Sequence, residues 1–353
     1  MNALKLKAGL LGLGPSGQMH LKALTQVDAF EIVAVADRDK TRAAKLADQI
    51  QCPSFDDYRQ FILQNSFDCL IVSESLHHCL EHVRLAIKKK AHVLKWAPMA
   101  RGFAEAAELA SLAATEQVRL DVADPLGYCG RFSPLRLRLS DKAQERPFLV
   151  RALWETAISS CQAAGHRTLG QAAWMTDRQS AGGGVLLYDG YGLVHILVGG
   201  LGLPQQVYCL SRSHVSDKAM PYLAEDVAVL SLRFGEGLFA ELVLIRHWDE
   251  RPGCRQITVY AKEDKMTTEC PSPLAPAAAP SGEDEGRSGC DDGDLALRLL
   301  SDYADSLRHP EDHPFVSGDT RANLDVMAVI EAAYISSQTG SPESPSRILT
   351  RPT

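Results

Sequence analysis

Three glycines, Gly12, Gly14 and Gly17, constrain this chain more than any other stretch. An apolar run from Leu4 to Leu11, broken only by Lys5 and Lys7, precedes them and reads as a buried strand. Leu21, Leu24 and Val27 follow at the spacing of one helix face. The glycines therefore lie at a strand-to-helix turn with G-x-G-x-x-G spacing. The first permits a tight turn, the second lets a pyrophosphate approach the main chain, and the third lets helix and strand pack closely. The turn, with Pro15 and Ser16 inside it, would rest phosphates on the free N–H groups that open the helix, where the dipole favours an anion.

The segment from Phe30 to Asp37 reads as a second strand ending in an acid, 20 residues beyond Gly17. A carboxylate there can accept hydrogen bonds from adenosine ribose hydroxyls. Arg38 could stack on adenine or meet a 2′-phosphate, so NAD and NADP both stay open. The bland alternative is a glycine turn followed by a strand-capping aspartate. Strand, turn, helix, strand and acid in that order favour the dinucleotide.

The chain has 353 residues, enough for two domains with cores of their own. A net charge of −7, and no basic run beyond Lys88-Lys89-Lys90, argue against a nucleic-acid partner. Those lysines fall where a helix should end, which its dipole favours. Nine scattered cysteines with no C-x-x-C pair suit free thiols in a reducing compartment. With no signal-peptide layout and no apolar run of spanning length, a cytoplasmic protein without a membrane partner is expected.

Strand and helix patterns alternate over residues 1–123, as an α/β Rossmann domain with a doubly wound parallel sheet requires. Asp124-Pro125 marks a boundary. Residues 124–353 read as an α+β domain with an open, mostly antiparallel sheet built from 148–154, 206–212, 226–234, 237–246 and 255–261. A helix over Val185–Val198 follows the glycine triplet Gly182–Gly184. Residues 270–294, rich in Pro, Ala, Ser, Gly and acids, read as a mobile loop. Leu295–Arg308 and Thr320–Thr339 are the closing helices of that second domain.

The glycine turn with His20, the acid Asp37, Pro98-Met-Ala, Arg131-Phe132 and Trp174-x-x-x-Arg178-x-x-x-Gly182-Gly-Gly together resemble the Gfo/Idh/MocA family of NAD(P)-dependent oxidoreductases. The resemblance runs from about Lys7 to Ile335. It implies a small-molecule substrate held between the two domains against the nicotinamide, and a homo-oligomer, dimer or tetramer, paired through the open sheet. It also implies cofactor contacts at Ser73, Glu74, His77, Trp96 and Pro98. Substrate contacts are implied at Trp96, Tyr128, Arg131, Trp174, Arg178, Asp189 and Tyr191.

The catalytic positions depart from the family. Its Glu-Lys-Pro becomes Trp96-Ala97-Pro98, and alanine cannot donate the proton that the family lysine transfers. Its aspartate, histidine and second aspartate after the glycine triplet become Tyr188, Gly192 and His195. Its Thr-Pro-Asn-His becomes Glu74-Ser75-Leu76-His77. Three readings follow. Acid–base work could have moved to Lys95, Tyr188 or His195, with Tyr188, Tyr191 and His195 on one helix face. The substrate could be an imine or conjugated acceptor that needs little acid help. Or the chain could run elimination, cyclisation or isomerisation, or bind nucleotide without catalysis. His77, His78 and His82 have a spacing that could suit a metal, but no cysteine or acid completes a site, so a polar helix start is expected and no metal. Arg246-His247-Trp248 reads as a strand-end turn.

Overall fold

The computed structural model describes residues 4–141, 145–157, 174–214, 223–247, 253–269, 292–316 and 318–350. Apolar runs bounded by turn residues form the first sheet: β1 (Leu6–Leu11), β2 (Phe30–Ala36), β3 (Ser54–Phe55), β4 (Cys69–Val72), β5 (His92–Trp96) and β6 (Leu120–Ala123). Between them run α1 (Pro15–Leu24), α2 (Lys40–Ile50), α3 (Tyr58–Gln64), α4 (Leu76–Lys88) and α5 (Phe103–Glu116). The spatial order is β3-β2-β1-β4-β5-β6 and every pairing is parallel. This is the doubly wound sheet expected. Strand order reverses between β1 and β4, the place where such sheets bind ligands beyond the carboxyl ends of the strands. Gly12 follows β1 there, and Ser73 follows β4.

The rest of the chain forms α6 (Ser133–Ser140), β7 (Leu149–Ala157), α7 (Arg178–Ala181), α8 (Val185–Tyr188), α9 (Tyr191–Leu201), β8 (Gln206–Arg212), β9 (Val227–Arg233), β10 (Phe239–His247), β11 (Arg255–Tyr260) and β12 (Lys265–Glu269). The helices α10 (Asp292–Arg308), α11 (Thr320–Thr339) and α12 (Pro345–Leu349) follow. The second sheet is ordered β12-β11-β7-β10-β9-β8, with β7 and β10 parallel and the other pairs antiparallel. Alternation decides its faces: Ala240, Leu242, Leu244 and Arg246 of β10 are buried, while Phe239 on the opposite face is exposed.

Contacts divide the chain into two units, Met1–Ala100 with Glu105–Tyr128 and Asp291–Asn323, and Arg101–Ala104 with Cys129–Cys290 and Leu324–Thr353. The helix α10, assigned by sequence to the second domain, thus belongs to the first. Its Ala296, Leu299, Leu300, Tyr303 and Ala304 join Leu10, Leu21 and Leu24 in one core, so its apolar stripe is satisfied by α1 and the parallel sheet.

Several local expectations change. The helix foreseen over Val185–Val198 is broken after Tyr188, and the stretch Arg178–Tyr188 meets the helix Tyr191–Leu201 at 53°. At Gly190 an added Cβ would lie 2.6 Å from the Leu186 carbonyl oxygen and 2.7 Å from Leu244, so the chain turns where it presses on β10. Tyr188 therefore does not share a continuous helix face with Tyr191 and His195. The polar strand β12 lacks the apolar alternation that would have announced it, and the helix α6 carries a strand-like Leu-Arg alternation in place of a helical period. Cys129 is disulfide-bonded, which corrects the expectation of free thiols throughout; Cys52, Cys69, Cys79, Cys209 and Cys254 are free. The stretch read as a mobile loop lies outside the described residues up to 291, and its last residues open α10. Among the described residues, no single helix is long and apolar enough to cross a membrane.

Candidate functional site

Each glycine of the turn meets a different constraint. Gly12 holds φ +88°, and a Cβ on it would lie 2.8 Å from the Glu74 amide nitrogen. A Cβ on Gly17 would lie 1.9 Å from the Gly12 carbonyl oxygen. Both are demanded by packing of the turn on α1 and on the loop after β4. A Cβ on Gly14 would meet nothing within 4 Å. Among the described residues nothing requires that glycine, and the open space beside it fits an approaching phosphate. Gln18 donates the first helical hydrogen bond to the Gly14 carbonyl (2.8 Å), so the amides of Ser16 and Gly17 precede the bonded ladder, and no side chain caps the helix. The residues present fit a pyrophosphate.

Asp37 is buried at the end of β2 and latches this turn. Its Oδ2 accepts the Leu13 N–H (2.7 Å) and Arg42 (3.2 Å), and its Oδ1 accepts the Asp39 N–H (2.8 Å). Arg42 also pairs with Asp39 at 3.2 Å. Arg38 is exposed, and its guanidinium lies 2.6 Å from Nε2 of His78. His78 stacks on His77 with ring centroids 3.7 Å apart. Glu74 accepts from the Tyr58 hydroxyl on one oxygen and from the Ser75 N–H (2.8 Å) and hydroxyl (2.9 Å) on the other. Burial and the Glu74 charge push the Tyr58 hydroxyl far above its usual range, so it stays a donor.

At the ends of β4 and β5, His20 is fully buried with Nδ1 2.6 Å from the Ser73 hydroxyl and its ring 4.7 Å from that of Trp96. Its Nε2 is buried with no hydrogen-bond partner among the described residues. Burial lowers its pKa to about 4, which keeps the ring neutral near pH 7. Lys95 is 2 % exposed, and its ammonium donates to the carbonyls of Trp96 (2.9 Å) and Pro98 (2.7 Å). Burial pulls its pKa down, against the opposing pull of Cys79 and Glu105. Tyr128 donates to Asp302, whose other oxygen lies 2.7 Å from Nε2 of His313.

In the second unit the glycine triplet is a packing motif. Gly182 holds φ +84°, and a Cβ there would lie 2.3 Å from the Arg101 carbonyl oxygen. On Gly183 it would meet the Tyr334 hydroxyl at 1.9 Å, and on Gly184 the Glu225 carbonyl oxygen at 1.9 Å. Buried Glu225 gathers the Gly184 N–H (2.9 Å), the Leu186 N–H (3.1 Å) and the Tyr334 hydroxyl (2.8 Å) on Oε1. Arg178 lies 4.7 Å over the Tyr334 ring. Trp174 meets Tyr188 edge-on at 5.9 Å, and the Tyr188 hydroxyl donates to the Ala181 carbonyl at 2.9 Å. Tyr191 is buried, and His195, one turn on, is half-buried. Arg131 is half-buried, its Nε enclosed and without a hydrogen-bond partner among the described residues. Asp189 takes both Nε (3.0 Å) and Nη2 of the buried Arg246 on its Oδ2. At the same end of the sheet, Glu155 faces His247 at 3.9 Å, and Asp226 holds His214 at 3.0 Å. Trp248 lies outside the described residues.

Residues 6–124 match the model of an oxidoreductase family with an NAD-binding Rossmann fold, Gfo/Idh/MocA. The N-terminal domain belongs to that family. A search of curated protein sequences found no match. Among solved structures, the chain is similar to an oxidoreductase from Agrobacterium radiobacter in complex with NAD+, L-tartaric acid and magnesium. That similarity has 17 % identity, TM-score 0.74, and covers 98 % of this chain and 100 % of the other. It is also similar to the WlbA dehydrogenase from Bordetella pertussis in complex with NADH and UDP-GlcNAcA (17 %, TM-score 0.77, 97 % and 99 % covered). A third is myo-inositol 2-dehydrogenase from Lactobacillus plantarum (14 %, TM-score 0.75, 97 % and 99 %). At such identities the likeness establishes the fold.

Both units also use residues that the sequence alone does not single out. Arg42 neutralises Asp37, Tyr58 ties Glu74 to β2, and in the second unit Glu225 and Tyr334 hold the glycine triplet. Tyr58, Glu225 and Tyr334 are separated in sequence from what they touch, and no spacing rule points to them; Arg42 lies five residues after Asp37 and three after Asp39. One available signal was the acidic pair Glu225-Asp226 just ahead of an alternating strand.

Proposed function

We propose that this chain is an NAD(P)-dependent oxidoreductase acting on a carbonyl, imine or conjugated bond of a small, sugar-like metabolite, with acid–base groups other than the family lysine. The observation that carries the reading is the turn itself: open space beside Gly14, unbonded amides at the start of α1, and Asp37 latching both to β2. The nicotinamide would supply the hydride acceptor or donor. Ser16 and Gly17 would hold the pyrophosphate, and Arg38 the adenosine end. The Ser73 hydroxyl, oriented by a neutral His20, would present its remaining hydrogen-bonding capacity to the ligand.

The ligands bound to the similar proteins, a hydroxy acid and a sugar nucleotide, support a hydroxylated substrate. Asp189 is our choice for the group that receives a substrate hydroxyl. Arg246 fixes it through a single oxygen, leaving Oδ1 available. Lys95 holds the strand-end turn in this account, because its ammonium is committed to two carbonyls. Aromatic and aliphatic side chains on the open face of the second sheet, Tyr208, Leu210 and Phe239, suit pairing of copies.

The test is turnover of polyols, sugar acids and hydroxy acids followed by nicotinamide absorbance. Asp189→Asn is expected to lower kcat by about 10²–10⁴-fold, the span of general acid–base groups, with little change in cofactor affinity. A second reading, net non-redox chemistry, draws on Ala97 and on the sequestration of Lys95. Product formed without a change of cofactor redox state would select it.

A further inference from the structure

The second unit carries a cleft of about 330 Å³ at the outer edge of its sheet. Three stretches wall it: Gln205 and Gln206 at the start of β8, Arg233 at the end of β9, and Glu343, Ser344 and Arg347 around the start of α12. The strand β8 is the last of the sheet, and the chain after α11 closes its far edge. The Val207 N–H donates to the Glu343 carbonyl (2.8 Å), and the Glu343 N–H donates back to the Val207 carbonyl (2.9 Å). Pro345 and Ile348 of α12 are buried. Main-chain bonds and apolar packing therefore hold the cleft together, and its polar side chains are not needed for that.

The charges of the cleft are not spent on one another. Among the described residues, the Arg233 guanidinium reaches the Gln206 side-chain oxygen at 3.5 Å and no carboxylate, and that of Arg347 has no partner. Glu343 shares the cleft, yet no ion pair within 4 Å joins it to either arginine. Elsewhere in this unit strand arginines find acids: Arg151 meets Glu241 at 2.8 Å, and buried Arg246 meets Asp189. A guanidinium presents five donors in a planar fork that matches a carboxylate. Two guanidiniums and one carboxylate leave a single net positive charge, which a monocarboxylate cancels and a phosphate dianion exceeds. Glu343 and the two glutamine side chains offer acceptors to hydroxyl groups. The volume lies at the lower end of small-molecule pockets, about 300–1,000 Å³.

We infer that this cleft binds a small hydroxylated monocarboxylate, with its carboxylate between Arg233 and Arg347 and its hydroxyls on Glu343, Gln205 and Gln206. The site is separate from the Asp189–Arg246 pair. Arg233 of β9 lies level with Phe239 of β10, and Val227 with Ile245, beside Arg246. Six residues of strand divide the two ends, about 20 Å at roughly 3.4 Å each. The faces differ too: Arg246 is buried, whereas Gln206 and Arg233, paired across β8 and β9, are exposed. A bound carboxylate would tie the end of β9 to α12, so it should raise the melting temperature. The inference goes beyond the oxidoreductase reading and does not depend on it.

Calorimetric titration of the nucleotide-free full chain with D-gluconate, D-glycerate and L-lactate tests this, with sorbitol and inorganic phosphate for comparison. At least one of the three acids should bind saturably at one site per chain, more tightly than phosphate, and sorbitol should not bind. Arg233→Ala and Arg347→Ala should each weaken that binding about 10- to 100-fold, the span of one or two charge-assisted hydrogen bonds. Asp189→Asn should leave it unchanged. Glu343→Gln, which raises the net charge of the cleft, should turn its preference towards phosphate. The three cleft residues are exposed or half-exposed, and thermal melting without ligand confirms that the variants are folded. Absence of binding by all three acids, binding that survives both arginine variants, or binding lost in Asp189→Asn would overturn the inference. So would a wild type that prefers phosphate, which would mark a general anion patch. Binding of reduced nicotinamide nucleotides should be the same in all these variants, so failure here leaves the oxidoreductase reading intact.

Discussion

Stability of the first unit should carry two buried titrations of opposite sign, and removing one should expose the other. Asp121 is 1 % exposed on β6. Burial raises its pKa from the ordinary 3.8 to about 7, against the pull of the Arg119 guanidinium 2.9 Å away. The folded state therefore keeps a proton that the unfolded state releases near pH 4. Its contribution is fully present below about pH 4 and is lost as pH rises to about 7. At 1.36 kcal/mol per pH unit this amounts to roughly 4 kcal/mol. His20 runs the other way. Folding lowers its pKa from 6.5 to about 4, so its contribution is present above about 6.5 and is lost as pH falls towards 4, by roughly 3 kcal/mol. The wild-type profile should be nearly flat in this window. Asp121→Asn keeps the shape and an acceptor for Arg119 while removing the titration. Its gain over wild type should grow by several kcal/mol between about pH 4.5 and 7.5, a relative rise in Tm of order 10 °C at 2–4 °C per kcal/mol. Scanning calorimetry across that range reads it directly. A gain that does not vary with pH would refute the reasoning.

Three further outcomes follow from the packing. Gly183→Ala should cost about 1–3 kcal/mol, since its Cβ would meet the Tyr334 hydroxyl, and Tyr334→Phe in the same chain should recover part of that cost. A strictly additive double-mutant cycle in urea unfolding would contradict the contact. Lys95→Met should lower stability by about 1–3 kcal/mol, because the Trp96 and Pro98 carbonyls lose their donor, and should leave the pH–rate profile unchanged. A lost limb in that profile would restore Lys95 as an acid–base group. Gly14→Asp should leave Tm unchanged, because the added side chain enters open space, yet should repel a phosphate.

The elements legible in the sequence were those announced by local periodicity. The turn at Gly12–Gly17 and the helix at Phe103–Glu116 fall where spacing puts them, because glycine spacing and apolar period are local properties of the sequence. The return of α10 to the first unit was not legible: an amphipathic stripe says that a face is buried but not against what. Side-chain commitments were hidden in the same way. Alternation placed Lys95 and Ala97 on one face, yet only the folded strand end shows two carbonyls taking the ammonium. The break at Asp189-Gly190 parted Tyr188 from Tyr191 because Gly190 presses on Leu244, a contact 54 residues away. The match of residues 6–124 to the family model agrees with the resemblance drawn from the glycine turn.

The most direct test of the account is binding of reduced nicotinamide nucleotides, followed by their fluorescence, to nucleotide-free wild type and Gly14→Asp. The account predicts saturable binding at one site per chain in the wild type, and its loss in a variant with unchanged melting. Absence of binding to the wild type, or equal binding to both proteins, would contradict the claim that this turn holds a dinucleotide.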